Sequence, residues 1–466
     1  MGKLSLNGKD LRKINYPEGR VIGVAIQVMH QYFKHSTEAQ ALDILKQILA
    51  QPESFLKDEV LGKIASTLLD ELYPKNDSIA LASKRKEYKT YGAENIEMGA
   101  VNQMEVAMKL PVTVSGALMP DAHQGYGLPI GGVLATENAV IPYGVGVDIG
   151  CRMCLSIFDL PGDFVINNTE KLTGFLTRNT LFGAGATFNK PIDDEILERN
   201  EFRENKLLKS LHEKAFKQIG TSGSGNHFVE FGIVEVKSKT EKFNVEPGNY
   251  LGLLSHSGSR GLGAAVANYY TRVAKDICKL PDVARNLAYL DLNSEAGQEY
   301  WIAMNLSGDY ASACHHQIHQ KIKRSLGAEL ICRVENHHNF AWKEFHDNKE
   351  VIVHRKGATP AGKGVLGIIP GSMTAPGFIV EGKGELESLN SAAHGAGRKM
   401  SRSAAKNLFT IKMLHDVLKD AGVELIGGDI DESPMAYKNI NEVMQFQTDL
   451  VNIIGIFKPK VVRMDG

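Results

Sequence analysis

Apolar positions near the start of the chain recur at helical and strand-like spacing, and the texture changes near residue 110. Residues 21–29 (VIGVAIQVM) form a short β-branched run after a Pro/Gly turn and predict a buried strand. Thr37-x-x-Gln40 has capping-box form, and Leu42, Leu45 and Leu49 follow at helical intervals. A second amphipathic helix is predicted from Glu53 to Tyr73, with Leu61, Ile64, Leu68 and Leu72 on one side and Pro74 closing it. The run Lys84-Arg85-Lys86-Glu87-Tyr88-Lys89 reads as a solvated helix face, with a phosphate-backbone contact surface as the alternative. Beyond residue 110, strands at 228–236, 250–254, 350–354 and 365–369 alternate with glycine-rich loops, and helices are predicted at 201–219, 262–279, 297–325 and 396–420. No Pro/Ser/Gly linker separates the halves, and no solenoid-length period repeats. The pattern predicts one large α/β (α+β) domain with a helical N-terminal insertion.

Composition narrows the function. Lys plus Arg is 53 and Asp plus Glu is 54, a net charge of −1, so a polyanion must meet a local patch and not a basic surface. Hydrophobic residues at 43% and charged residues at 23% fit a folded chain and exclude extensive disorder. No stretch approaches the ~18 apolar residues of a membrane span, so no membrane is expected as a partner. The first residues lack the apolar segment of a secretory signal. Five cysteines, an odd number, make no disulfide framework and predict reduced thiols in a cytoplasmic protein.

The chemistry collects at strand ends. Histidines, several of them beside Gly, Asn, Ser or Arg, fall in MPDAHQGYGLPIGG (119–132), GTSGSGNHFVEF (220–231), SHSGSRGLG (255–263), ENHHNF (335–340), HRKGATPAGKG (354–364) and HGAGRKMSR (394–402). Each alone is compatible with a hydrogen-bonded structural histidine. Together with Asp148-x-x-Cys151 they offer oxygen, thiolate and imidazole ligands, with His227, His256 and His338 as the imidazoles. That mixture suits Mn, Fe, Co or Zn and argues against Mg or Ca. A bridging sulfur would let two ions sit roughly 3.5–4 Å apart. Anion sites are read from Gly220–Gly225, Ser257–Gly261, Arg355-Lys356-Gly357 and Gly371-Ser372. His394 is placed at the head of the 396–420 helix, where an imidazole beside an anion site could attack phosphorus; an N-capping histidine is the alternative.

These segments, with GVGVDIGCRM (144–153) and IIPGSM (368–373), resemble the RtcB family of RNA-splicing ligases from about residue 110 to the C-terminus, and more weakly over 1–110. The resemblance implies an RtcB-type fold of central sheets flanked by helices, with a catalytic core over 110–466 and a helical insertion over 36–90 in a ligase domain spanning 1–466. It implies an enzyme that joins RNA 2′,3′-cyclic phosphate or 3′-phosphate ends to 5′-hydroxyl ends using GTP and two Mn2+ ions. RNA with such ends is the implied partner, and an archease-type activator is a candidate second one. By the same resemblance Asp148, Cys151, His227, His256 and His338 are metal ligands, and His338 is preferred over His337 because it precedes Asn339. His394 matches the nucleophile that carries GMP. Guanylate contacts fall on Asn226, His338, Asn339, Pro370, Gly371, Ser372, Gly395, Ala396, Gly397 and Tyr437. Asp121 and His123 match a polar loop near the reacting ends, where Asp121 would orient or deprotonate the 5′-hydroxyl, and Arg260 matches a phosphate-holding arginine.

One departure stands out. Family members commonly end in Pro-x-x-Val-Val-Lys-Gly, whose lysine contacts the guanylate, and Pro459–Met464 puts Arg463 in that place. A guanidinium fork is not a point donor, so contact there is expected to be rearranged. Two other functions share these residues: a metal-dependent phosphatase or cyclic phosphodiesterase without guanylylation, and a non-catalytic RNA-binding protein.

Overall fold

A computed structural model describes residues 4, 6–17, 19–72 and 78–466. The chain forms two compact units, Met1–Ser78 and Ile79–Gly466, and both helix and sheet are present.

The first unit is helical. Arg20–Tyr32, Glu38–Ala50 and Gly62–Leu72 pack around Leu11, Val21, Met29, Leu45, Ile48, Ile64 and Leu68. The Thr37 box forms: its hydroxyl accepts from Gln40 N, and the Gln40 side chain accepts from Thr37 N. Residues 21–29 are helical, against the expectation of a strand. Val21, Val24, Ala25, Val28 and Met29 lie on one buried stripe, so the apolar run is a helix face whose period its Ile residues disguise. The helix predicted over Glu53–Tyr73 is a 3-10 turn at Pro52–Phe55 followed by Gly62–Leu72; Tyr73 and Pro74 lie outside the described residues. Residues 79–90 group with the second unit instead, where Lys89–Thr90 pairs with Ala117 and Leu118. The basic run 84–89 is exposed for the most part but not helical, and Arg85 and Lys89 pair with Glu105 and Glu387.

Two sheets organise the second unit. The larger runs Leu366–Ile369, Gly377–Gly382, Val451–Met464, Phe228–Val236, Gly248–Ser257, Arg152–Pro161, Leu330–His337, with Glu424–Ile426 also on Val451–Met464. The smaller runs Lys89–Thr90, Thr113–Tyr126, Leu128–Thr136, Lys349–Lys356, Asn339–His346. Alternation fills both faces of the large sheet. Met153, Leu155, Ile157 and Leu254 face one core, while Leu251, Leu253 and Phe231 face Leu172, Leu176, Ile318 and Ile322. Burying each such side chain contributes roughly 1.5–3 kcal/mol. The helix Glu295–Leu326, capped by Ser294 and closed by left-handed Gly327, covers that second face. Only His338 separates Leu330–His337 of one sheet from Asn339–His346 of the other, so the chain crosses between sheets at that residue. All five cysteines are free thiols, and no helix among the described residues is long and apolar enough to cross a membrane.

Candidate metal and nucleotide site

Register brings the ligands together. Met153 is paired with His256, His256 with Phe228, and Arg152 with His337, so Cys151, His227, His256 and His338 all lie at one end of four neighbouring strands. The Cys151 Sγ is 3.1 Å from His256 Nε2 and 3.5 Å from His227 Nε2. His256 Nε2 is 3.2 Å from His338 Nε2, and His227 Nε2 is 3.0 Å from the Asp148 carboxylate. His256 donates Nδ1–H to the Asn226 carbonyl at 3.0 Å, which fixes its tautomer and leaves the Nε2 lone pair facing sulfur and a second imidazole. Burial lowers the His256 pKa to about 3 and pushes His338 well below its usual value, so both rings are neutral. Burial also pushes the Cys151 thiol up. Electron-rich atoms converging with few protons among them fit a divalent cation, and Cys151, His227 and His256 alone place three ligand atoms within 4.8 Å of one another. Gly223 is required beside them: a Cβ there would lie 1.8 Å from His227 Nδ1 and 2.8 Å from an Arg260 nitrogen.

Arg260 is buried, has a left-handed φ of +55°, and bonds Thr221 Oγ1 at 3.1 Å and the Gly183 carbonyl at 2.6 Å. A non-glycine residue held there stores about 1–3 kcal/mol of strain. His337 turns away from the cluster, stacking on Trp342 at 5.0 Å. Asn339 braces the Asp148 loop against Gly357, accepting from Gly357 N at 2.9 Å, and stands behind the cavity wall.

His394 faces the cluster from the other side, its ring 4.9 Å from that of His338. Asp121 Oδ2 accepts from His394 Nδ1 at 2.6 Å and from His394 N at 3.1 Å. Asp121 is fully buried, and through Oδ2 it holds both the ring and the backbone of His394. The helix expected at 396–420 is also corrected: Ser391–Ala393 is a strand, and helices begin only at Arg402 and Ile411. Gly397, at φ +73°, packs so closely that a Cβ would lie 2.1 Å from the Asp121 carbonyl, and Arg398 bridges to Tyr437. The chain bends on both sides of Gly397 and starts no helix before Arg402, so His394 does not head a helix.

A cavity of about 310 Å3 opens between these parts. Asn226, Pro370, Gly371, Ser372, Gly395, Ala396, Gly397 and Tyr437 line it with His123, His256, His338 and His394. His123 Nδ1 meets the Asp121 carbonyl at 3.1 Å, and burial holds its pKa near 4. Sequence reasoning missed Glu230, Arg398, Arg402 and Glu432, which also line the cavity. Burial pushes the Glu230 carboxyl well up. An acid flanked by Val229 and Phe231 in the strand FVEFGIVEV, which also carries Glu235, was the available signal. Arg398 stacks on Tyr437 at 5.1 Å, and both arginines bond Glu432.

Two expected contacts are elsewhere. Strand parity turns Val462 and Met464 into the cavity and Arg463 to the opposite face, where it donates to the Leu176 carbonyl at 2.6 Å. Arg355 is 1% exposed and bidentate to Glu344 at 2.6 and 3.2 Å, with Nε on Ser391 at 2.7 Å, so it braces the core and cannot hold RNA. Lys356 is buried beside the site, donating to the Tyr126 carbonyl at 2.6 Å, and burial lowers its pKa to about 7.

Behind the cluster, Cys154, His315 and His319 form a second metal-like group. Here the nitrogens are satisfied. His315 donates Nε2–H to the Ser257 carbonyl, Ser255 donates to His315 Nδ1, His319 donates Nε2–H to Ser255, and Ser156 donates to His319 Nδ1. This series ties the strand bearing His256 to the long helix.

The site thus combines a cation-competent ligand cluster, a cavity of small-molecule size and an imidazole held by a carboxylate. A family model described as "tRNA-splicing ligase RtcB" matches residues 103–465. The RNA-splicing ligase RtcB of Escherichia coli K12 is 35% identical over 396 residues, covering 77% of this chain and 92% of that protein. The tRNA-splicing ligase RtcB of Archaeoglobus fulgidus is 33% identical, covering 78% and 89%, and an RtcB homolog of Entamoeba dispar is 31% identical, covering 78% and 81%. The chain belongs to the RtcB family.

Proposed function

We propose that this protein is a GTP- and Mn2+-dependent RNA ligase that joins 2′,3′-cyclic phosphate or 3′-phosphate ends to 5′-hydroxyl ends in RNA repair or tRNA splicing. The observation that carries the reading is His394, 4.9 Å ring to ring from the ligand cluster and held through Nδ1 by Asp121. Donating Nδ1–H to a carboxylate leaves the lone pair on Nε2, the nitrogen able to attack phosphorus. His394 attacks the α-phosphorus of GTP; a nitrogen–phosphorus bond forms and pyrophosphate leaves. A 2′,3′-cyclic end is first opened by water, which breaks the P–O2′ bond and leaves a 2′-hydroxyl and a 3′-phosphate; a 3′-phosphate oxygen then displaces His394, giving RNA capped with GMP through a diphosphate. The 5′-hydroxyl attacks the RNA-side phosphorus, and GMP leaves. Mn2+, held by Asp148, Cys151, His227, His256 and His338, supplies neutralisation of the phosphate charge. His123, Arg260 and Lys356 hold phosphates.

Glu230 supports guanine as the base. Two carboxylate oxygens match the N1–H and 2-amino donors of guanine, and those donors offset the burial that otherwise favours the protonated acid. The reading carries a cytoplasmic location and an archease-type activator as partner.

Incubation with Mn2+ and α-labelled GTP tests it. An acid-labile label should appear on the protein and be absent from His394→Ala. Metal-loaded protein that takes no label but opens cyclic phosphates would be a phosphodiesterase. RNA binding without GTP consumption would mark a non-catalytic binder.

A further inference from the structure

Tyr126 is 69% exposed, although it ends a strand whose other members are largely buried. It sits at the tight turn joining Thr113–Tyr126 to Leu128–Thr136, three residues beyond His123. Its ring centroid is 6.3 Å from that of Tyr143, tilted by 43°. Tyr143 belongs to the short helix Pro142–Val145, from which the chain runs directly to Asp148. Two lysine side chains face the Tyr143 ring, Lys356 Nζ at 5.1 Å and Lys275 Nζ at 5.5 Å. Among the described residues neither lysine pairs with a carboxylate: Lys275 donates to Asn286 Oδ1 at 2.7 Å and Lys356 to the Tyr126 carbonyl at 2.6 Å. Arg285 lies close enough to Lys275 to repel its charge. The patch reaches the reaction centre. Lys356 is followed by Gly357, where a Cβ would lie 3.2 Å from His394 Cε1.

Two aromatic rings beside the Lys275 ammonium, which no carboxylate pairs, match a single-stranded nucleic acid, whose bases offer π-faces and whose phosphates offer charge. A ring serving only to pack the hairpin would be covered. We propose that Tyr126 and Tyr143 form a stacking platform for the nucleotides next to the reacting RNA end, with Lys275 on their phosphates. This rests on the ligase reading above, and it adds where the strand lies as it leaves the site.

The test measures binding of a single-stranded RNA bearing a 3′-phosphate to the full chain. Tyr126→Leu should weaken it about 10-fold, equivalent to about 1.4 kcal/mol, whereas Tyr126→Phe, which keeps the ring, should bind as the parent does. Removing the base of the stacked nucleotide should weaken binding to the parent protein and cost little further with Tyr126→Leu. Lys275→Gln should lower the salt slope by about 1. Equal affinity of Tyr126→Leu and parent, or a base-removal loss of the same size in both, would overturn the platform while RNA ligation by the parent left the ligase reading standing. A parent that neither takes label from GTP nor ligates RNA would instead remove the reading beneath it.

Discussion

Cys151, His227, His256 and His338 occupy the ends of four hydrogen-bonded strands, whereas His394 lies in a loop between Ala393 and Ser401. The strand-borne group gets its geometry from sheet register, which sets each ligand against its neighbour within 3.5 Å. The loop has no such frame. It is held by point contacts: Asp121 on ring and backbone of His394, Gly397 against the Asp121 carbonyl, and Arg398 on Tyr437. A ligand cluster must keep its shape with or without an ion. A nucleophile that accepts and gives up a nucleotide needs one defined tautomer and free space ahead of it. The difference in construction follows from that difference in task.

Substitutions can break the comparison, beginning with the largest expected effect. His394→Ala should remove both the covalent label and ligation, a loss of at least about 10^3-fold, while Mn2+ binding by calorimetry stays intact. Retained label would transfer the nucleophile elsewhere. Asp121→Asn keeps the shape but cannot hold Nδ1–H as a carboxylate does, and single-turnover labelling should slow by about 10^2–10^4-fold. If binding of metal falls equally, the loop and the cluster are not separate devices. Cys151→Ala should lower the bound Mn2+ count. Saturating Mn2+ at a hundred times its Kd stabilises the parent by about 2.7 kcal/mol, and the accompanying rise in Tm should vanish in the variant. Glu230→Gln replaces one acceptor by a donor and should raise the KM for GTP about 10-fold, with kcat changed less. Arg463→Lys should leave GTP affinity within about twofold, because its side chain faces Leu176 and not the cavity. A larger change would put the tail back into nucleotide binding.

The ligand cluster was legible because each of its residues adjoins a strand with its own apolar signal, such as FVEFGIVEV or YLGLL. The environment of His394 was not. Residues 396–420 have helical composition, and most of them are helical, in Arg402–Leu408 and Ile411–Ala421, but Gly397 at φ +73°, packed on Asp121 far away in sequence, keeps a helix from starting beside His394. Arg463 and Arg355 were misplaced for a related reason. A motif position does not say which face of a strand a side chain takes, and the buried bond from Arg355 to Glu344 depends on the pairing of neighbouring strands. Residues 21–29 were misread because a nine-residue apolar run fits a buried strand and a helix face equally. Glu230 was readable but overlooked.

His338 is the single residue between strands that belong to different sheets, and its imidazole is also a candidate ligand. A captured ion would therefore act as a clasp across the fold, because any parting of the sheets must drag one donor off the others. Chelation should accordingly speed amide hydrogen exchange at Arg152, His337 and Asn339 in concert, while amides at the far ends of those strands keep their protection.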